Sequence, residues 1–190
     1  PDDNFEQALI NLGYDTGPIN DSVLTANISS VSNLLIGFSN ISDLTGIEDF
    51  AALSDLSCWG NQLTTLDVSQ NTNLIQLDCS GNPLTNLNVT GLTALLWMYT
   101  DFCQLTSLDV STNISLEELD FEVNQISSID LSNNTALISL YCTLNQLTSL
   151  DLSLNTALEF LMCRDNQLTC LNLKNIDQQN MTGFIAYNNP

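Results

Sequence analysis

The chain has no histidine, and only two basic side chains, Arg164 and Lys174, stand against 22 acidic ones, for a net charge of −20. Without histidine there is no Ser-His-Asp or Cys-His catalysis, no histidine zinc site and no histidine pH switch. Without a basic surface, nucleic acid is excluded as a partner, because neutralising phosphates requires Lys and Arg. Anionic membranes and sulfated polymers meet the same repulsion unless a divalent cation bridges the charges. No apolar run reaches the length of a membrane span, so membrane insertion is not expected, and no charged-then-apolar signal peptide opens the chain. From Pro1 to Pro190 it reads as a mature or excised fragment.

What is present is a repeat. The pattern Leu-x-x-Leu-x-Cys-x-x-Asn-x-Leu occurs at Leu74, Leu77, Cys79, Asn82 and Leu84, and again at Leu158, Leu161, Cys163, Asn166 and Leu168, on a 21-residue period. A period in this range predicts a solenoid, in which each repeat buries its apolar face against its neighbours. Full repeats begin at Asn40, Asn61, Asn82, Cys103, Asn124 and Asn145. They divide the chain into an N-terminal cap over 1–39, six repeats over 40–165 and a degenerate C-terminal repeat over 166–190. In the last, Met181, Phe184, Ala186 and Asn189 echo the pattern.

The segment Leu74 to Ser80 alternates apolar and polar with period two, which predicts a short strand stacked in parallel on its equivalents. The half-repeat Leu63 to Ser69 also alternates, so extended structure is expected on the opposite side, with little helix. One helix is expected at the start. Asp3 and Glu6 resemble a capping box, Phe5, Leu9 and Leu12 share a face, and Gly13 is a natural stop. It should cover the open apolar end of the stack. Asp15, Asn20 and Asp21 follow in a loop that suits an Asx-rich turn better than a calcium loop.

Columns down the repeats carry further information. Cys58, Cys79, Cys142 and Cys163 share one position with Thr100 and Phe121, which marks a core filler and predicts free buried thiols. Cys103 takes an asparagine slot. Cys170 should point outward, with no evident partner in the chain. The asparagines Asn40, Asn61, Asn82, Asn124, Asn145 and Asn166 are expected to satisfy backbone groups at the bend after each strand. Asp67, Asp109, Asp130 and Asp151, joined by Asn88 and Asn172, form an outward column, whose carboxylates should accept bonds from nearby backbone N–H or Ser/Thr groups.

With the repeats laid out, the run Leu63-Thr-Thr-Leu-Asp-Val-Ser-Gln-Asn-Thr-Asn-Leu and the Leu-x-x-Leu-x-Cys-x-x-Asn-Gln-Leu-Thr pattern resemble secreted and cell-surface bacterial leucine-rich-repeat proteins, and more distantly internalin-type repeats. The opening Pro1 to Ile10, with Leu12-Gly-Tyr, resembles their N-terminal cap. The resemblance implies a leucine-rich-repeat solenoid, a secreted or cell-surface location, and further C-terminal sequence that would hold a mate for Cys170. It also implies ligand binding on the face that carries the parallel strands.

Three residues of each strand should face outward there, and they vary between repeats while the core does not. Trp97 and Tyr99, flanked by Asp78, Asp101, Asp120 and Tyr141, form the best candidate site. Trp59 and Phe160 extend it along the same face. Aromatic faces with carboxylates between them suit a protein partner or sugar rings. Glu118, Asp120 and Glu122 crowd one strand, and their repulsion calls for water, a cation such as calcium, or a basic partner. The expected function is a non-catalytic, monomeric binding module without a cofactor, acting on a protein or, alternatively, a polysaccharide. A plain structural spacer is the third reading.

Overall fold

A computed structural model describes residues 2–177 and 179–190; Pro1, which opens the cap-like run, and Gln178 lie outside the described residues. Among them, eight three-residue strands form one parallel sheet, at Asn33–Leu35, Asp55–Ser57, Gln76–Asp78, Trp97–Tyr99, Glu118–Asp120, Ser139–Tyr141, Phe160–Met162 and Gly183–Ile185. They stack in chain order with equivalent residues in register, for example Leu56 on Leu77 and Leu77 on Met98. The opposite side carries short parallel pairs, Thr65–Asp67 with Asn86–Asn88 and Ser149–Asp151 with Cys170–Asn172. The chain is a leucine-rich-repeat solenoid with little helix.

One continuous core runs through the coils. In a typical rung Leu63, Leu66, Val68, Leu74, Leu77 and Cys79 are all buried. Thr100 and Phe121 are as buried as the cysteines whose column they share. All six thiols are free, and Cys170 is the exposed one. Burial pushes the Cys58, Cys79 and Cys142 thiols well up and Cys163 to about 11. They are packing groups and not nucleophiles at neutral pH.

The asparagine column closes each bend. Asn124 Oδ1 accepts from Leu105 N–H at 2.9 Å, and its Nδ2 donates to the carbonyls of Thr100 (2.8 Å) and Phe121 (3.1 Å). Asn61, Asn82, Asn145 and Asn166 do the same in their rungs. Asn40 does not belong. It is exposed at φ 56, and its carbonyl accepts from Asn4 Nδ2 in the cap. A second column on the far side, Asn71, Asn113, Asn134 and Asn155, is equally buried and donates to carbonyls of the preceding rung.

The outward acids are capped as expected. Asp67, Asp109, Asp130 and Asp151 each accept the N–H of the serine two residues on at 2.9 Å, and bonds from that serine hold their carboxyls below the usual range. Asn88 and Asn172 interrupt the column and donate to Asp67 and Asp151 at 3.0 Å, so they relieve the repulsion between stacked carboxylates.

The helix α1 (Asp3–Asn11) covers the first coil with Phe5, Ala8 and Leu9, but three details of its expected build differ. The N-cap is Asp2, whose extended backbone lets Oδ1 accept from the N–H groups of Asn4 (2.8 Å) and Phe5 (3.1 Å). Glu6 does not reach back to close a capping box. It is buried and accepts the backbone N–H groups of Asn20 and Asp21 at 2.7 Å each, which ties down the following loop. Leu12 is exposed, because the chain turns away at Gly13 (φ 81) with Tyr14 N–H bonded to Leu9 O.

Candidate functional site

Every strand of the main sheet but the last buries its middle residue and turns the two flanking ones outward; in Gly183–Ile185 the middle residue, Phe184, is exposed, against the core place its echo of the repeat implied. Registration then writes rows across the face. The row through the strand ends reads Ser57, Asp78, Tyr99, Asp120, Tyr141 and Met162. The row at the strand starts reads Asp55, Gln76, Trp97, Glu118, Ser139 and Phe160. One step beyond the strand ends lie Trp59, Asp101, Glu122 and Arg164 at equivalent places in their repeats. The structure therefore brings Trp97, Tyr99, Asp101, Glu118, Asp120, Glu122 and Tyr141 together on three neighbouring strands, with Asp78 beside Tyr99.

Trp59 sits apart from this group, Phe160 borders it through Tyr141, and both pack on their own sheet. The Trp59 indole lies over Gly37, where an added Cβ would meet Nε1 at 2.6 Å, and its edge meets Phe38 at a centroid distance of 4.1 Å. The Phe160 ring covers Gly183 on one side and meets Tyr141 at 5.0 Å on the other. Both aromatics thus fill space left by a glycine of the adjacent rung.

The electrostatics centre on Asp120. Burial pushes its carboxyl up to about 7; one backbone bond, from Glu122 N–H at 2.9 Å, opposes this, while the charges of Asp101, Glu122 and Glu118 add to it. Burial, followed by the Glu118 carboxylate, raises Tyr99 to about 12 and Tyr141 in the same direction. Both phenols therefore lie within the field of Glu118 and Asp120. The nearest base in these rows, Arg164, is engaged elsewhere: Nη1 lies 3.6 Å from Asp165 and donates to the Tyr187 hydroxyl at 2.9 Å. Among the described residues, no three acidic or cysteine side chains converge closely enough to hold a metal ion.

A ridge beside this patch was not foreseen. The residue before each bend asparagine has a left-handed backbone. It is Gly60 and Gly81 in two repeats, Phe102 (φ 52, before Cys103 of the same column), Val123 (φ 54) and Leu144 (φ 55) in the next three, and Asp165 (φ 54) in the one after. Phe102 and Leu144 are largely exposed, and their N–H groups bond the adjacent rung. A non-glycine residue in this conformation costs about 1–2 kcal/mol. Exposed Phe102 and Leu144, with half-buried Val123 between them in consecutive rungs, form an apolar strip along the acidic, aromatic rows. The glycines at the equivalent positions were the readable signal.

A pocket under the cap, lined by Phe5, Glu6, Leu9, Ile28, Asp49 and Phe50, lies away from this face. The Glu6 carboxylate there is already spent on two backbone donors.

No family model matches the chain. Over 72 residues, 38% of its length, it is 39% identical to Internalin J of Listeria monocytogenes serotype 4b, of which that stretch is 8%. All of the chain superposes on 51% of the functional domain of InlJ from Listeria monocytogenes, a domain described as including a cysteine ladder, with 33% identity and a TM-score of 0.58. A leucine-rich-repeat protein from Leptospira interrogans matches 79% of the chain and 41% of its own, with 25% identity and a TM-score of 0.73. The chain thus spans about half of these solved structures and under a tenth of the curated relative. The repeat, the stacked parallel sheet and these likenesses agree: the chain is a leucine-rich-repeat solenoid, similar in sequence and fold to Internalin J of Listeria monocytogenes.

Proposed function

We propose that this chain is a non-catalytic, extracellular binding module that holds a protein partner on its strand face. The observation that carries this reading is the apolar strip of exposed Phe102 and Leu144 with half-buried Val123 between them, held in a strained backbone beside Trp97, Tyr99 and five carboxylates. Exposed apolar surface next to aromatic anchors is the composition of an interface core, and the acids around it form a charged rim. The partner therefore offers apolar side chains opposite the strip and basic ones opposite the acids. The internalin-like likeness supports placing the module outside the cell, and the open, uncleft face supports binding over catalysis. Sugar binding draws support from the aromatics alone, whereas the strip and the charge both favour protein.

The test is capture of surface proteins on the immobilised chain, with wild type, Trp97→Ala and Phe102→Asn run in parallel across a salt series. A specific partner should be released as salt rises and be lost from both variants. Retention indifferent to salt and to both substitutions would overturn the reading.

A further inference from the structure

The central row of the patch places one carboxylate between two tyrosines: Tyr99 pairs with Asp120, and Asp120 with Tyr141. The two rings stand on strands two apart, about 10 Å at the usual strand spacing. That gap admits one cationic group with a ring on either side, each within the roughly 6 Å at which a cation is attracted to an aromatic face. Phe160 backs Tyr141 at 5.0 Å with the rings inclined by 32°, which steadies that wall from the side away from Asp120.

Two further facts concern what the gap lacks. Thr143 occupies the position equivalent to Glu122, one step past the strand end, yet it is 1% exposed and its Oγ1 has no hydrogen-bond partner. Glu122 Oε1 beside it is likewise buried and unpartnered. An unsatisfied hydroxyl and an unsatisfied carboxylate oxygen on neighbouring rungs, among carboxylates without a base, favour a cation over a neutral group. A neutral sugar would leave the charge uncompensated, and the acids do not converge as metal ligands do.

We propose that Tyr99, Asp120 and Tyr141 clamp a single arginine side chain of the partner, with the Glu122 carboxylate beside them opposing its charge. The assignment rests on the protein-binding reading above and names the chemical group recognised. The planar guanidinium stacks between the phenol rings and offers five donors in a fixed fork, which a lysine ammonium cannot match.

The test is a titration of the isotope-labelled chain at physiological salt with acetyl-Gly-Arg-Gly-amide, followed through backbone amide shifts. Its citrulline counterpart is the neutral control of the same shape. Saturable shifts centred on Tyr99, Asp120, Glu122 and Tyr141, absent with citrulline, are expected. Tyr99→Leu and Tyr141→Leu, which leave net charge unchanged, should each weaken binding on the order of tenfold. Shifts spread evenly along all rungs, equal binding of citrulline, or titrations unaltered in both leucine variants would overturn the clamp. A captured protein that depends on Phe102 but not on Tyr99 or Tyr141 would also sink it while leaving the wider reading intact. Seating of the arginine probe in the clamp, with no protein captured through this face, would uphold the clamp and defeat that reading.

Discussion

Replacing Asp120 by asparagine should stabilise the chain, by an amount that depends on pH. Asp120 is half-buried, and its carboxyl is raised from an ordinary 3.8 to about 7, first by burial and then by the neighbouring acids. A group raised in this way holds its proton in the folded chain while the unfolded chain has released it. Stability therefore falls as pH climbs from about 4 to about 7, and is flat above. At about 1.4 kcal/mol per pH unit across that interval the unscreened cost is on the order of 4 kcal/mol, and solvent screening of a half-buried group reduces it to about 2 kcal/mol. Asparagine keeps an oxygen for Glu122 N–H and carries no charge. For a chain of this size about 2 kcal/mol corresponds to a rise of roughly 4–8 °C in the thermal midpoint. The assay is thermal unfolding of both proteins at intervals from pH 4 to pH 8. The capped acids Asp67, Asp109, Asp130 and Asp151 are lowered by their serine bonds, so their contribution is lost only on descending below the ordinary carboxylate range. Tyr99 titrates far above it. The window from pH 4 to 7 is therefore the one in which Asp120 contributes. Equal midpoints at pH 8, or an advantage of the same size at both ends, would refute the reasoning.

Four other outcomes follow from the ladders and the strip. Cys103 stands in the asparagine column and offers only a thiol, 3.6 Å from the carbonyls of Cys79 and Asp101, so Cys103→Asn should raise stability by about 1 kcal/mol in urea unfolding. Asn124→Leu strands a buried N–H and two carbonyls and should cost about 3–5 kcal/mol. Asn134→Leu should cost visibly less in the same assay, because its Oδ1 is already unpartnered and Leu92 fills the equivalent slot. Leu144→Asn should leave the midpoint unchanged or raise it by about 0.5–1 kcal/mol, because asparagine tolerates the left-handed backbone that leucine resists; a clear loss would show that the strip is structural.

Much of this was readable because a solenoid repeats its physics. Once Leu74, Leu77 and Cys79 define an inward set, every strand follows by adding 21, and the rows of Trp97, Glu118 and Tyr141 come with it. Where the sequence is not periodic, legibility fails. Asp2 and Asp3 are the same residue type, suited to capping, and backbone geometry alone made the first of them the cap. Asn40 sits at the cap junction, where no earlier regular rung offers groups for its amide to satisfy. The column from Asn71 to Asn155 looks in sequence like polar loop, and its burial comes from coils closing over it. The glycines under Trp59 and Phe160 become visible only with the register: Gly183 pairs with Phe160 from 23 residues away, against the regular 21.

That irregular step shows what the bend asparagines do for accuracy. Alternation of apolar and polar residues permits a strand to slide by two positions without turning its face, so hydrophobicity alone leaves such errors nearly free. A two-residue slide moves an amide by about 6.6 Å, beyond any hydrogen bond it should make. Each asparagine therefore checks the alignment of its own rung against the one before. Where the last repeat carries two extra residues, Asn189 still receives Leu168 N–H at 2.9 Å and still donates to the Cys163 carbonyl at 3.1 Å. The surplus is absorbed outside the sheet, and a miscounted repeat is stacked without error.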